Sequence, residues 1–284
     1  MRASKGPMAG STRATLLGAA LRAARERASW GLNELARKIG VPPARLSSWE
    51  LGLRAAPAIH VAYILGALGV HGSDKRRVLA LAGLTASEVV IMGRDYAYDR
   101  CAMLADCGTT AQSVADWHPL FIPDLVQHED YQREALIAAG RPEAEVHFIG
   151  ELGAEHRQVV HPRQLTAYVS ETALADVTGS PETVTQQFSF LARMAAPTST
   201  VSIRVVPTAA RGHSGRAGAF TLYRTNSGPF VHVPNYGASV FMAEDGSYSD
   251  ILEELESISL SKMDTRMLVD EYAAKHRVRL CRSA

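Results

Sequence analysis

The sequence predicts an α+β protein: an all-α N-terminal part of five helices, then an α+β part with a small antiparallel sheet. Three observations predict it. Apolar residues recur at helical spacing from Thr15 to Ala82, interrupted at glycines. Beyond Pro197 the spacing changes to alternation, as in Val201-Ser202-Ile203-Arg204-Val205-Val206. Charge divides along the same line. Residues 1–85 hold 13 Lys/Arg against 4 Asp/Glu (net +9), and the rest hold 17 against 25 (net −8), although the whole chain is at +1.

A chain of 284 residues exceeds the roughly 100–200 residues of one ordinary domain, so two are expected. The apolar content of 46% and charged content of 21% describe a soluble globular protein. The apolar stretch Leu16–Ala24 is broken by Arg22 and followed by Arg25, Glu26 and Arg27, which excludes a signal peptide or membrane span there. A cytoplasmic protein with no membrane partner is expected. Cys101, Cys107 and Cys281 show no CxxC spacing and are read as reduced thiols. No two histidines share a metal-binding helical face, so neither a metal nor a cofactor is expected.

Residues 1–13 lack apolar periodicity and read as a flexible arm. Thr15–Ala28 carries Leu17, Ala20, Leu21 and Ala24 on one face, with Arg22, Arg25 and Arg27 on others. Leu32–Ile39 follows Gly31 as N-cap, places Leu35, Ala36 and Ile39 together, and stops at Gly40. Pro43–Leu51 starts on a proline suited to a first helical position and turns Leu46 and Trp49 inward. Ala58–Leu68 offers Ile59, Ala62, Ile64, Leu65 and Leu68 to the core, and Asp74–Ala82 completes residues 14–85.

Helices are then expected over Asp95–Ala115, Glu129–Ala139, Glu143–Val160 and Pro181–Ala195, with a short extended stretch at Leu165–Val169. Strands are expected at Val201–Val206, Ala219–Arg224, Phe230–Val233 and Val240–Ala243, with Asn226-Ser227-Gly228 as a hairpin turn. Helices Tyr248–Leu260 and Lys262–His276 close the second domain, residues 95–276, leaving 277–284 as a tail.

Two short helices joined by a tight glycine turn form the unit that inserts its second helix into the major groove. The run Leu35-Ala36-Arg37-Lys38-Ile39-Gly40-Val41, then Leu46-Ser47-Ser48-Trp49-Glu50-Leu51-Gly52, resembles the XRE (lambda-repressor-like) helix-turn-helix family. The shared pattern is a Leu-Ala pair, a Gly-Val turn and a Ser-x-Trp-Glu-x-Gly ending. The resemblance implies a transcription regulator that binds double-stranded DNA as a homodimer. It also implies that Glu50 pairs with Arg25 while Trp49 and Ala36 pack the motif helices together. Ala44, Arg45, Ser47 and Ser48 would face base edges and phosphates, with Arg45 suited to guanine O6 and N7. Arg37, Lys38 and Arg54 would hold phosphates. Leu32, Pro42 and Pro43 stand where the family usually has Gln or Ser, which leaves fewer polar groups for bases.

The second domain resembles the C-terminal domain of unknown function of actinobacterial Scr1-type, antitoxin-like regulators. The motifs in order are Ile122-Pro123-x-Leu125-x-Gln127-x-x-Asp130-Tyr131, Arg157-Gln158, Glu171 with Leu174 and Gly179, Val205-Val206-Pro207, and Phe220-Thr221-Leu222. The resemblance picks out Tyr131, Arg157 and Glu171 as ligand or partner candidates, beside a structural reading in which buried Arg and Glu pair with one another. No residue is assigned a catalytic role. Gly212-His213-Ser214-Gly215 fails as a nucleophile elbow, since its second glycine comes one place early.

The expected function is a dimeric DNA-binding regulator tuned through its C-terminal domain by a small-molecule or small-protein effector. Two rivals belong to other classes. One is a biosynthetic enzyme on a recruited regulator scaffold, with tRNA as partner; the other is an antitoxin-like protein-binding module.

Overall fold

The computed structural model describes residues 11–83, 89–93, 97–161, 163–196, 199–226, 228–235 and 238–283. The chain forms two compact units, one of residues 1–112 with 223–243 and the other of 113–222 with 244–284. Residues 1–10 of the expected arm and Ser227 of the expected turn lie outside the described residues. The class is α+β, as expected, with the helix-turn-helix region wholly helical.

In the first unit, helix α1 (Thr12–Arg27) starts three residues earlier than periodicity suggests, because the Ser11 hydroxyl caps it by accepting from the Ala14 N–H at 3.3 Å. Arg13 therefore belongs to the helix. Its guanidinium donates to the carbonyls of Leu81 (2.8 Å) and Ala82 at the end of α5 (Gly72–Gly83). Helix α1 is buried nearly all round rather than on one face, since Ala19, Ala20, Ala23 and Ala24 let neighbours approach between Leu16, Leu17 and Leu21.

Helices α2 (Leu32–Lys38), α3 (Pro43–Glu50) and α4 (Ala58–Ala67) follow. Helix α4 buries Val61, Ile64 and Leu65, at i, i+3 and i+4. Ile59, expected in the core, falls on the opposite face beside Tyr63, and the two are 57% and 58% exposed.

Strand β1 (Val89–Gly93) comes next, then α6 (Ala97–Thr110). Antiparallel pairing joins β1 to β7 (Ala238–Ala243) and β7 to β6 (Gly228–Pro234), in the registers Val90↔Phe241 and Val231↔Met242. This pairing is why residues 223–243 cluster with the N-terminal helices. On α6, Asp106 is fully buried and accepts from two guanidinium groups: Arg27 of α1 at 2.6 Å and Arg77 of α5 at 2.9 Å. Burial pushes the Asp106 carboxyl up even against these two cations.

The expected helix Asp95–Ala115 ends at Thr110, and Ala111–His118 is strand β2. The Thr109 and Thr110 hydroxyls donate back to the carbonyls of Asp106 (2.7 Å) and Cys107 (3.0 Å) at the helix end. In the second unit β2, β3 (Gln164–Ser170) and β4 (Val201–Val206) are parallel, with Ala115↔Thr166 and Ala167↔Ile203 among the registers. The sheet elements are thus more numerous than the small antiparallel set expected, and part of them is parallel. Crossovers long enough for parallel pairing are supplied by α7 (Glu129–Ala138) with α8 (Glu143–Val160), and by α9 (Glu171–Ala175) with α10 (Pro181–Met194). Strand β5 (Phe220–Thr225) and helices α11 (Ser247–Ile258) and α12 (Lys262–Ser283) complete the set, α12 running on through the expected tail. Strand β4 is covered by the chain that follows: the Val205 N–H donates to the Thr265 hydroxyl, and the Val205 carbonyl accepts from the Leu260 N–H.

Candidate nucleic-acid interface

The turn between α2 and α3 is closed by Gly40 at φ +70°, with the Val41 N–H bonded to the Ala36 carbonyl at 3.0 Å. Only glycine adopts that backbone freely, which fixes the direction in which α3 departs. Pro43 occupies the first helical position, where a missing N–H costs nothing.

Helix α3 crosses α1 with backbones in contact. A Cβ on Gly18 would lie 2.4 Å from the Trp49 carbonyl oxygen and 2.8 Å from the Gly52 nitrogen. A Cβ on Gly52, itself at φ +68°, would lie 2.7 Å from the Thr15 Cα. The crossing is locked by Glu50, which is 3% exposed and accepts from Arg25 through both oxygens at 2.8 Å. Arg25 also donates to the Trp30 carbonyl at 2.9 Å, and its bond to Glu50 raises its pKa against the opposing effect of burial. The Arg25–Glu50 pair and the burial of Trp49 and Ala36 agree with the sequence expectation. Gly18 was not singled out by sequence; the only trace of its role is a glycine inside a helical pattern.

Many basic side chains of this unit fall into two sets, with Lys75 and exposed Arg76 of α5, Arg100 of α6 and exposed Arg224 of β5 outside both. Arg13, Arg22, Arg25, Arg27 and Arg77 are tied to carbonyls or carboxylates within it. Arg37, Lys38, Arg45 and Arg54 are exposed, and their charged groups make no ion pair or hydrogen bond among the described residues. These four lie at the end of α2, on α3 and just after it, beside exposed Ala44 and half-buried Ser47 and Ser48. The Ser48 hydroxyl donates to the Arg45 carbonyl at 2.8 Å, so its remaining capacity is as an acceptor.

The three second-unit candidates make no hydrogen bond or ion pair with one another among the described residues. Tyr131 is buried on α7, and burial raises its hydroxyl pKa. Arg157 is buried on α8 and donates to the Gln132 side chain at 3.2 Å, with burial lowering its pKa. Glu171 on α9 instead accepts from the N–H and hydroxyl of Thr208 (2.8 and 3.0 Å) and the Tyr272 hydroxyl (3.0 Å). Arg157 and Glu171 therefore do not form the ion pair of the structural reading, and Glu171 is only half-buried. Asp116 on β2, which sequence did not mark, is held by the Thr221 hydroxyl at 2.9 Å, and burial pushes its carboxyl up to about 7. Among the described residues no helix is long and apolar enough to cross a membrane, and no cluster of His, Cys, Asp or Glu could hold a metal.

The helix-turn-helix domain family matches residues 16–79, from Leu16 in α1 to Leu79 in α5. No curated protein and no solved structure matches the chain. A second family match spans residues 101–271, more than half of the chain, and by it the protein belongs to the family of the domain of unknown function DUF5753.

Proposed function

We propose that this protein is an XRE-type transcription regulator that binds double-stranded DNA as a homodimer through α3 and is modulated through its C-terminal domain. The observation that carries the reading is the set of four cations unpaired among the described residues, Arg37, Lys38, Arg45 and Arg54. They gather on and around α3, while Arg13, Arg22, Arg25, Arg27 and Arg77 are consumed inside the unit; Arg76 of α5 is likewise exposed and makes no ion pair among the described residues. Free guanidinium and ammonium groups on an exposed helix displace counterions from phosphates. Arg45 on α3 reads bases, and the other three hold the backbone. Dimerisation follows from mechanics, since one short recognition helix covers few base pairs and two half-sites a turn apart supply the rest. The C-terminal domain is read as a Scr1-type, antitoxin-like module that receives a small-molecule or small-protein effector in the cytoplasm.

Sequencing the nucleic acid that the purified protein retains from genomic fragments and total RNA at near-physiological salt tests this reading. Enrichment of a palindromic DNA site is expected. Enrichment of tRNA, or of nothing, would favour the enzyme or protein-binding reading. On the enriched site Arg45→Ala is expected to cost about 1–3 kcal/mol of specific binding, by fluorescence anisotropy. An equal loss on scrambled DNA would show that Arg45 reads no base.

A further inference from the structure

The second unit contains a cavity of about 310 Å³ at the carboxyl ends of its three parallel strands. Trp117 and the loop residue Leu120 lie at the end of β2, Ser170 and Thr172 at the end of β3, and Val206 at the end of β4. His213 and Arg216 close it from the Gly212–Gly215 loop and the residue that follows. Strand ends are where α/β sheets gather loops around ligands, and the volume falls at the small end of the range for ligand pockets.

Three polar side chains of the wall have donors to give. The guanidinium of Arg216 and the hydroxyl of Thr172 make no ion pair or hydrogen bond among the described residues. Ser170 uses its hydroxyl oxygen only to accept from the Thr172 N–H at 3.2 Å, which leaves its proton to give. Two carboxylates stand nearby and keep their charge, since the donors that hold them are neutral: Glu171 accepts from Thr208 and Tyr272, and Glu254 from the Ser214 N–H at 2.9 Å, so an anionic ligand depends on Arg216 to offset them. Part of the wall is apolar. Trp117 is fixed through its indole N–H to the Gly215 carbonyl at 2.8 Å, while Leu120 is 61% exposed. His213 packs edge-on to Trp117 at 5.9 Å, and its Nδ1 is buried with no hydrogen-bond partner.

We propose that this cavity binds a small organic carboxylate with an apolar, ring-sized body, the carboxylate on Arg216, Ser170 and Thr172 and the body against Trp117 and Leu120. The planar guanidinium favours a carboxylate, and an apolar wall favours one anionic group with a hydrophobic tail over a polyanion. Its role as effector site rests on the regulator reading; the binding itself does not.

The test is isothermal titration calorimetry of the full chain with phenylacetate, 3-phenylpropionate and 4-phenylbutyrate, and with the alcohol matched to each. At least one acid is expected to bind saturably in the range of about 1 mM or tighter. Its alcohol is expected to bind about tenfold more weakly, and Arg216→Gln to weaken the acid by about tenfold or more. Thr172→Val should weaken it by a smaller factor. Both side chains are exposed, so unchanged thermal melting will show that the variants fold. Failure of all three acids to saturate at about 10 mM, or equal affinity in Arg216→Gln, overturns the proposal. These titrations contain no DNA, so a protein that binds the acid but no DNA retains the cavity assignment and loses the regulator reading.

Discussion

Gly18→Ala is expected to lower the stability of the first unit by about 3 kcal/mol and to abolish binding of the DNA site. The added methyl meets the Trp49 carbonyl oxygen at 2.4 Å, the Gly52 nitrogen at 2.8 Å and the Glu50 carbonyl oxygen at 3.0 Å. All three are backbone atoms, so no rotamer change relieves the contact, and α1 must move off α3. That movement also stretches the Arg25–Glu50 bonds, which places a buried carboxylate at risk of losing its partner. Gly150→Ala on α8 is the control, because nothing lies within 4 Å of its Cβ position. There the loss of backbone freedom in the unfolded chain should stabilise by about 0.4–1 kcal/mol. Urea unfolding of both variants checks the contrast, and a Gly18→Ala protein as stable as the parent would show that α1 and α3 do not cross in backbone contact.

Asp106→Ala is expected to cost about 3–5 kcal/mol. Arg77 has a side chain only 2% exposed, and its Nε and Nη1 already lack partners, so removing Asp106 leaves it Asp74 at 3.7 Å and the longer-range attraction of Asp99 among the described residues. Arg27 is different: its own side chain is 44% exposed and is hydrated when released, but fully buried Asp106 loses one donor. Arg27→Gln should therefore cost about 1–3 kcal/mol, less than Asp106→Ala. Burial disfavours the Asp106 carboxylate and so opposes its attraction to the two guanidinium groups, and an apolar pair in place of a buried ion pair avoids that desolvation. The double change Asp106→Leu with Arg77→Met should accordingly recover most of the loss seen on removing Asp106 alone. Chemical denaturation of the three variants separates these effects, and a double variant no better than Asp106→Ala would contradict the assignment.

The motif helices were legible because their signals sit at fixed offsets: Gly40 for the turn, Pro43 for the helix start, and Glu50 one residue after Trp49. What could not be read was anything set by distant chain. Val89-Val90-Ile91-Met92 is an apolar run too short to separate strand from helix, and it becomes β1 only through pairing with residues 238–242. Gly108 stands before Ala111–Ala115, but a single glycine inside a helical pattern is a weak stop, so the helical pattern of α6 ran on into β2. Periodicity placed Ile59 in the core by composition, whereas the face of α4 is decided by Val61, Ile64 and Leu65 together. The cavity behind Arg216 draws on several separate segments, and no local spacing marks it. The Arg25–Glu50 pair was legible for the opposite reason, being carried by the motif itself.

Salt dependence of DNA binding addresses the free cations around α3. Replacing Arg37, Lys38 and Arg54 together with alanine removes three phosphate contacts, so the slope of log K against log[salt] should become shallower by about 2.7, at 0.9 per contact. The loss should be similar on specific and scrambled duplexes. An unchanged slope, with the variant folded, would mean that DNA does not bind at this surface.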